Sequence, residues 1–225
     1  MRIAVCGTKG GSGKSTLAGL LALCFADAGR SVLAIDSDPQ ATLTTWLRSV
    51  GGKIMEVTDG DKPVTFPACT SLGNRSGNDG NLVCITDFPP ASPEPLLKMI
   101  DRANPSEWFE PFREMQGHKY KRVEFYDVLL IPCRPALADI WSIRSFLEKL
   151  DGYKGKVRLV MNALDNSSIS KTGSIESLLK GIKTPRTKAT LSRRACYSYA
   201  MAGGWPALDE KAKSEVLSLA LEIMK

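Results

Sequence analysis

Nine residues near the start of the chain, Thr8-Lys9-Gly10-Gly11-Ser12-Gly13-Lys14-Ser15-Thr16, constrain the fold more than any other stretch. They follow a short apolar run, Arg2-Ile-Ala-Val-Cys6, that reads as a buried strand. They lead into residues 15–28, where Leu17, Leu20, Leu21, Cys24, Phe25 and Ala28 recur at helical spacing until Gly29 stops the helix. A glycine-rich turn between a strand and a helix gathers backbone N–H groups and the helix dipole at one point, which suits phosphate. In such a cradle Gly10, Gly11, Ser12, Gly13 and Thr16 line the nucleotide, Lys14 reaches the β and γ phosphates, and Ser15 can ligate Mg²⁺. The strict pattern G-x-x-x-x-G-K-[ST] asks for glycine where Thr8 stands. What the chain has instead is a second lysine, Lys9, at the loop entrance. Three fixed glycines arise by chance at roughly 3 × 10⁻⁴ per start position when glycine is about 7% of residues. The two lysines and the strand-to-helix context make an accident rarer still.

The alternation continues. Ser31-Val-Leu-Ala-Ile35 reads as a second strand ending in Asp36 and Asp38, so the first unit is strand, helix, strand with a right-handed crossover. Leu82-Val-Cys-Ile85, Val128-Leu-Leu-Ile131 and Val157-Arg-Leu-Val-Met161 are near-continuous apolar runs, as buried parallel strands are. Helical patterns fall at 94–102, 136–150, 170–181 and about 209–224. These predict one doubly wound α/β domain over 1–225, mostly parallel, with helices on both faces and ligands at the carboxyl ends of the strands. Two stretches interrupt it. Residues 51–81 read as a loop with at most an edge strand at Val64-Thr-Phe66. Residues 103–124, with Trp108, Phe109 and Phe112, read as a helical flap in preference to a partner surface.

Composition narrows the classes. There is no run of 18 apolar residues, and the N-terminus has neither a basic region nor an uninterrupted apolar core, so a spanning helix and a secretory signal are not expected. The six cysteines are scattered and His118 is the only histidine, which predicts free thiols in a reducing cytoplasm and no zinc site. The net charge of +6 is localised. Residues 154–194 hold ten basic side chains against Asp165 and Glu176, a segment charge of +8, so the remainder sums to −2.

These residues together resemble the deviant Walker A ATPases of the ParA/MinD type, whose loop signature is K-G-G-x-G-K-[ST], and the resemblance spans nearly the whole chain. Asp36-Ser37-Asp38-Pro39-Gln40 is similar to that family's first switch, and Ile85-Thr-Asp87-Phe-Pro89-Pro90 to its Walker B strand, with Phe88 where a small residue is usual. Leu130-Ile-Pro132-Cys-Arg-Pro135 with Asp139-Ile-Trp, Met161-Asn162, Leu191-Ser-Arg193 and Gly203-Gly204 resemble later segments. The resemblance implies that ATP and Mg²⁺ are the cofactors and that Lys14 neutralises phosphate charge in its own subunit. Lys9 would reach a phosphate of the partner subunit in a nucleotide-sandwich homodimer. Asp38 would orient the attacking water, sense the γ-phosphate and join the Mg²⁺ site, Asp87 would hold Mg²⁺ through water, and Asn162 would read adenine. Weak ATP hydrolysis stimulated by a partner follows for phosphoryl transfer that depends on positioning and electrostatics. Asp36 stays open between an Asx turn closed by Pro39 and a site carboxylate.

The output of such a switch divides into classes. The basic segment suits phosphate contacts without base readout, with Lys180, Lys183, Arg186, Lys188, Arg193 and Arg194 as the DNA-binding residues. One subunit would bind non-specific DNA weakly, and a dimer would gain avidity. The resemblance then implies plasmid or chromosome partition, nucleoid association, and a centromere-binding adaptor. Accessory ATPases of conjugative transfer share the short architecture. Membrane positioning of the MinD type is not expected, because the last helix stops without a basic amphipathic tail and turns Val216, Leu219, Ala220 and Ile223 to the core. Cluster chemistry of the nitrogenase iron-protein type is not expected either, since Cys84 and Cys133 sit inside strands. The first strand begins at once, so an N-terminal helix-turn-helix is not expected.

Overall fold

The computed structural model describes residues 1–50, 55–59, 81–90, 126–150, 156–165, 177 and 179–225. Its strands are β1 (Arg2–Val5), β2 (Ser31–Asp36), β3 (Met55–Asp59), β4 (Leu82–Asp87), β5 (Val128–Cys133) and β6 (Val157–Met161). They form one sheet in the order β3-β2-β4-β1-β5-β6, and every pairing is parallel. A parallel sheet needs cover on both faces, and this one has it. Helices α1 (Lys14–Asp27), α2 (Thr42–Val50), α4 (Cys196–Gly203) and α5 (Glu210–Ile223) share one apolar core with β1, β2 and β4. Helix α3 (Leu137–Lys149) packs through Ile140, Ile143 and Phe146 into a second core on the opposite face, with Leu129, Ile131 and Leu159. The doubly wound reading of the sequence is therefore the observed fold.

Helix α1 is buried almost all round, from Leu17 to Phe25, because the sheet lies on one side and α2, α4 and α5 on the other. Gly19 is required there. A Cβ at that position would stand 2.1 Å from Trp46 Cζ3. Trp46, on α2, also donates its indole N–H to the Ala200 carbonyl at 2.9 Å, so one side chain joins α1, α2 and α4.

Several elements differ from expectation. Strand β3 lies within the stretch read as a loop, where it forms the sheet edge beside β2. Helices α2 and α4 fall outside the helical stretches expected from the sequence, although Leu43, Trp46, Leu47 and Val50 give α2 an apolar stripe at helical spacing. Helix α2 is only nine residues, with Thr42, Thr44 and Thr45 in its first half, and α4 is rich in Tyr, Ser and Gly. Both are held by tertiary contacts rather than by propensity. The departure at Phe88 is explained by the second core, where its ring packs edge-on against Tyr126 at 6.0 Å. Val64-Thr-Phe66, the helix at 94–102, the aromatic segment 103–124 and most of the helix at 170–181 lie outside the described residues.

Beyond the expected strands, the segment after residue 184 runs parallel along β6. Thr187 N–H donates to Leu159 O, Leu191 N–H to Met161 O, and Leu164 N–H to Leu191 O. Thr187 and Leu191 point inward and are buried, while Arg186, Lys188 and Arg193 are exposed. Alternation along an extended strip thus places basic side chains in a row at the sheet edge.

Candidate nucleotide site and basic edge

Strand register brings the site together. Asp87 lies opposite both Val5 and Asp36, so the ends of β1, β2 and β4 converge, and the loop 8–16 springs from that point. Gly11 (φ +72°) and Gly13 (φ +94°) take the left-handed backbone that turns the loop into α1. Gly13 O accepts the first helical bond, from Leu17 N–H at 2.8 Å. Gly10 and Gly11 are exposed at the loop crest, while Ser12 is buried and its hydroxyl has no hydrogen-bond partner.

Lys14 is buried, and its ammonium turns back to donate to the Lys9 carbonyl at 3.1 Å. Burial lowers its pKa, and the nearby Asp87 and Asp38 carboxylates partly offset that. A desolvated ammonium with one neutral acceptor is a strong site for an anion. Asp87 is fully buried, and neither carboxylate oxygen has a hydrogen-bond partner. Burial pushes its pKa up to about 7; the neighbouring Ser15 hydroxyl pulls the other way without making a full hydrogen bond. An orphaned buried carboxylate beside a hydroxyl and an ammonium fits a hydrated divalent cation. Ser15 and Asp87 are the residues that would hold Mg²⁺. Among the described residues no group of three or more His, Cys, Asp or Glu side chains forms a metal cluster.

The two carboxylates of the first switch differ. Asp36 Oδ1 accepts from Asp38 N–H at 3.0 Å, and Oδ2 from Thr44 N–H at 2.9 Å. It closes an Asx turn and caps α2, so its open reading resolves to structure. Asp38 is half-buried, and among the described residues its carboxylate accepts one hydrogen bond, from Gln40 N–H to Oδ1 at 3.0 Å. Asn162 braces the loop. Its Nδ2 donates to Ser12 O at 2.8 Å, and its Oδ1 accepts from Ala163 N–H at 2.8 Å. Its amide is thus engaged with the loop and with its own neighbour.

Lys9 ends on Asp139, at the first turn of α3, where Arg134 also arrives. That carboxylate was legible only as part of a family motif.

At the basic edge, Lys180, Lys183, Lys188 and Arg193 are exposed, as is the Arg186 side chain. Arg194 departs from the expected row. Its guanidinium binds Glu215 Oε1 at 2.6 Å and Oε2 at 3.3 Å. Glu215 also accepts from Ser192 N–H, Ser192 Oγ and Tyr197 OH, while Glu222 accepts from the N–H groups of Lys188 and Ala189. The acidic residues of α5 therefore hold the edge strip in place. Read from sequence they look like a solvated face. Val216, Leu219 and Ala220 are buried as expected, and Leu217, Leu221 and Met224 are exposed. Among the described residues no helix is long and apolar enough to cross a membrane, and Cys6, Cys24, Cys84, Cys133 and Cys196 are free thiols.

A parallel sheet whose first strand opens through this loop into a helix, with a buried carboxylate on the adjacent strand, defines a P-loop nucleotide-binding ATPase domain. The chain belongs to the CobQ/CobB/MinD/ParA nucleotide-binding domain family, whose model matches residues 3–202. The fold is similar to MinD in the MinC:MinD cell division complex of Aquifex aeolicus, at TM-score 0.64 and 17% identity, covering 99% of this chain and 95% of that one. It is also similar to the ATP complex of McdA from Cyanothece, at TM-score 0.63 and 14% identity, covering 99% and 95%. A stretch of 45 residues is 56% identical to the carbon monoxide dehydrogenase accessory protein CooC of Rhodospirillum rubrum. That stretch is 20% of this chain and spans only 17% of CooC.

Proposed function

We propose that the chain is an ATP-dependent dimerising switch with weak Mg²⁺-dependent ATPase activity, of the short partition type, whose ATP-bound dimer binds DNA non-specifically. The observation that carries the nucleotide half is Asp87, a fully buried carboxylate with both oxygens unpartnered next to Ser15 and Lys14. When bound, Mg²⁺ would screen the β and γ phosphate charge. Lys14 exchanges its loop carbonyl for phosphate oxygens, and the loop N–H groups between Gly10 and Thr16 orient the triphosphate. Asp38 positions the attacking water. Lys9 serves the nucleotide of a second subunit, so hydrolysis is completed only in the dimer.

The DNA half rests on the row at the sheet edge. Lys188 and Arg193 present cations from a strip that Glu215 and Glu222 of α5 tie down, with the exposed Lys180 and Lys183 just before it, which suits backbone phosphates rather than base edges. The competing explanation of the same row is protection of an edge strand from pairing with other chains. Plasmid or chromosome partition, with an adaptor that stimulates hydrolysis and places the protein on the nucleoid, is the role this reading favours.

Co-sedimentation with DNA in ATP, ADP and no nucleotide tests it. DNA pelleting that requires ATP and is lost on charge reversal at Lys188 and Arg193 supports the reading. Pelleting on anionic vesicles instead of DNA would move the output to the exposed Leu217, Leu221 and Met224 stripe of α5.

A further inference from the structure

Lys9 does not project freely from the loop. Its ammonium donates to Asp139, whose side chain is 2% exposed, while the lysine side chain remains 38% exposed. Asp139 also accepts from Arg134 Nε at 2.6 Å and Nη2 at 3.3 Å. Burial alone would raise the pKa of this carboxylate, but the bonds from Arg134 and then Lys9 outweigh it and hold it below the usual range. Two cations therefore share one buried anion, and they are not equivalent. Arg134 makes a two-point contact that would keep Asp139 satisfied if Lys9 left. Lys9, being partly exposed, can leave for water or for another anion. Thr8 Oγ donates to the Ser142 carbonyl at 3.4 Å, so the loop entrance is tied to α3 a second time.

We propose that Asp139 is a positioning residue for Lys9, an internal acceptor that holds the lysine against α3 in the single chain and surrenders it to the partner subunit's phosphate on dimerisation. This rests on the reading of Lys9 as a residue that acts across the dimer. A contact made in the free chain and broken in the dimer opposes dimerisation by its own strength, so Asp139 sets how much protein and ATP the switch needs before it closes. Arg134 is the counterweight, because it competes with Lys9 for the same carboxylate. The two substitutions consequently act with opposite signs. Asp139→Asn releases Lys9 and lowers the protein concentration at half-dimerisation by about threefold to tenfold, the range for a partly exposed charged pair. Arg134→Ala leaves Lys9 as the main partner of Asp139 and raises that concentration.

The experiment is analytical ultracentrifugation of the full chain and both variants in saturating ATP and Mg²⁺. It is paired with the rate of Lys9 acylation by an amine-reactive ester without nucleotide, read by peptide mass spectrometry. Expected are faster acylation with tighter dimers for Asp139→Asn, and slower acylation with weaker dimers for Arg134→Ala. General damage to the fold would weaken dimers in both variants, so shifts of the same sign overturn the proposal. So does faster acylation without tighter dimerisation. Normal dimerisation of Lys9→Ala would overturn the cross-subunit reading, and the acylation rates would then show separately whether Asp139 holds the lysine.

Discussion

Asp87 allows the nucleotide site to be tested through folding stability alone. Its carboxyl is raised from 3.8 to about 7, chiefly by burial. Each unit corresponds to 1.36 kcal/mol, so ionised Asp87 costs the nucleotide-free fold about 4 kcal/mol at pH 8. Between pH 3.8 and about 7 the folded chain binds this proton and the unfolded chain does not, so stability falls as pH rises through that window and is flat below it. At pH 5 the cost is about 2 kcal/mol, because the folded group is still protonated while the unfolded one has mostly lost its proton. Asn at this position does not titrate. Asp87→Asn should therefore gain on the natural chain by about 2 to 3 kcal/mol between pH 5 and pH 8. Urea titrations of both proteins at pH 5, 6, 7 and 8 in EDTA measure it. Adding Mg²⁺ and ATP at pH 8 should reverse the order, because the ion pairs with the ionised natural residue and finds a weaker ligand in Asn. A stability difference that stays constant across pH would refute the claim that Asp87 is an unpaired buried carboxylate, and with it the argument for the cation site.

Three further outcomes follow from the same geometry. Lys14→Ala should lose nucleotide affinity by at least about a hundredfold, since two charge-assisted contacts of roughly 1.5 kcal/mol or more disappear; titration with a fluorescent ATP analogue checks it. Gly13→Ala should destabilise the chain by more than about 1 kcal/mol, because φ is +94° and the new Cβ would stand 2.1 Å from Asn162 Nδ2. Asn162→Ala should restore only part of that loss in thermal melts, since the backbone strain remains; full restoration would assign the whole cost to the clash. Glu215 would be raised by burial, but Arg194, Ser192 and Tyr197 hold it down to about 2. Its contribution is present above pH 4.5 and lost as pH falls toward 2, so Glu215→Gln should cost about 1 to 2 kcal/mol at pH 7 after discounting for solvent. Urea midpoints of the two proteins should converge as the pH drops through that window.

The sequence made the sheet and the phosphate loop legible because both are written locally. Apolar runs mark β1, β2, β4, β5 and β6, and a Gly-Lys turn can serve few purposes between a strand and a helix. Asp87 is named as a metal residue by the resemblance of its strand end to a Walker B segment. That both of its oxygens are orphaned depends on burial by elements far along the chain, and no spacing rule reports it. The basic edge shows the same division. Ten cations in 41 residues are visible as composition, but which of them face solvent is set by a strip that pairs with β6 through Thr187 and Leu191. Arg194 looks like its neighbours in sequence because its partner lies 21 residues away on α5.

Lys9 marks the deepest limit of that local reading. Its position at the loop entrance is enough to suggest that it points away from its own cradle. Where it points instead is fixed by Asp139, 130 residues later, and by an arginine that shares the same carboxylate. The resemblance implies a destination for the lysine in another subunit, whereas the structure shows where it rests in its own. A switch needs both. In the proposed switch, the difference between the two contacts, rather than the strength of either, would decide at what ATP and protein concentration the chain changes state.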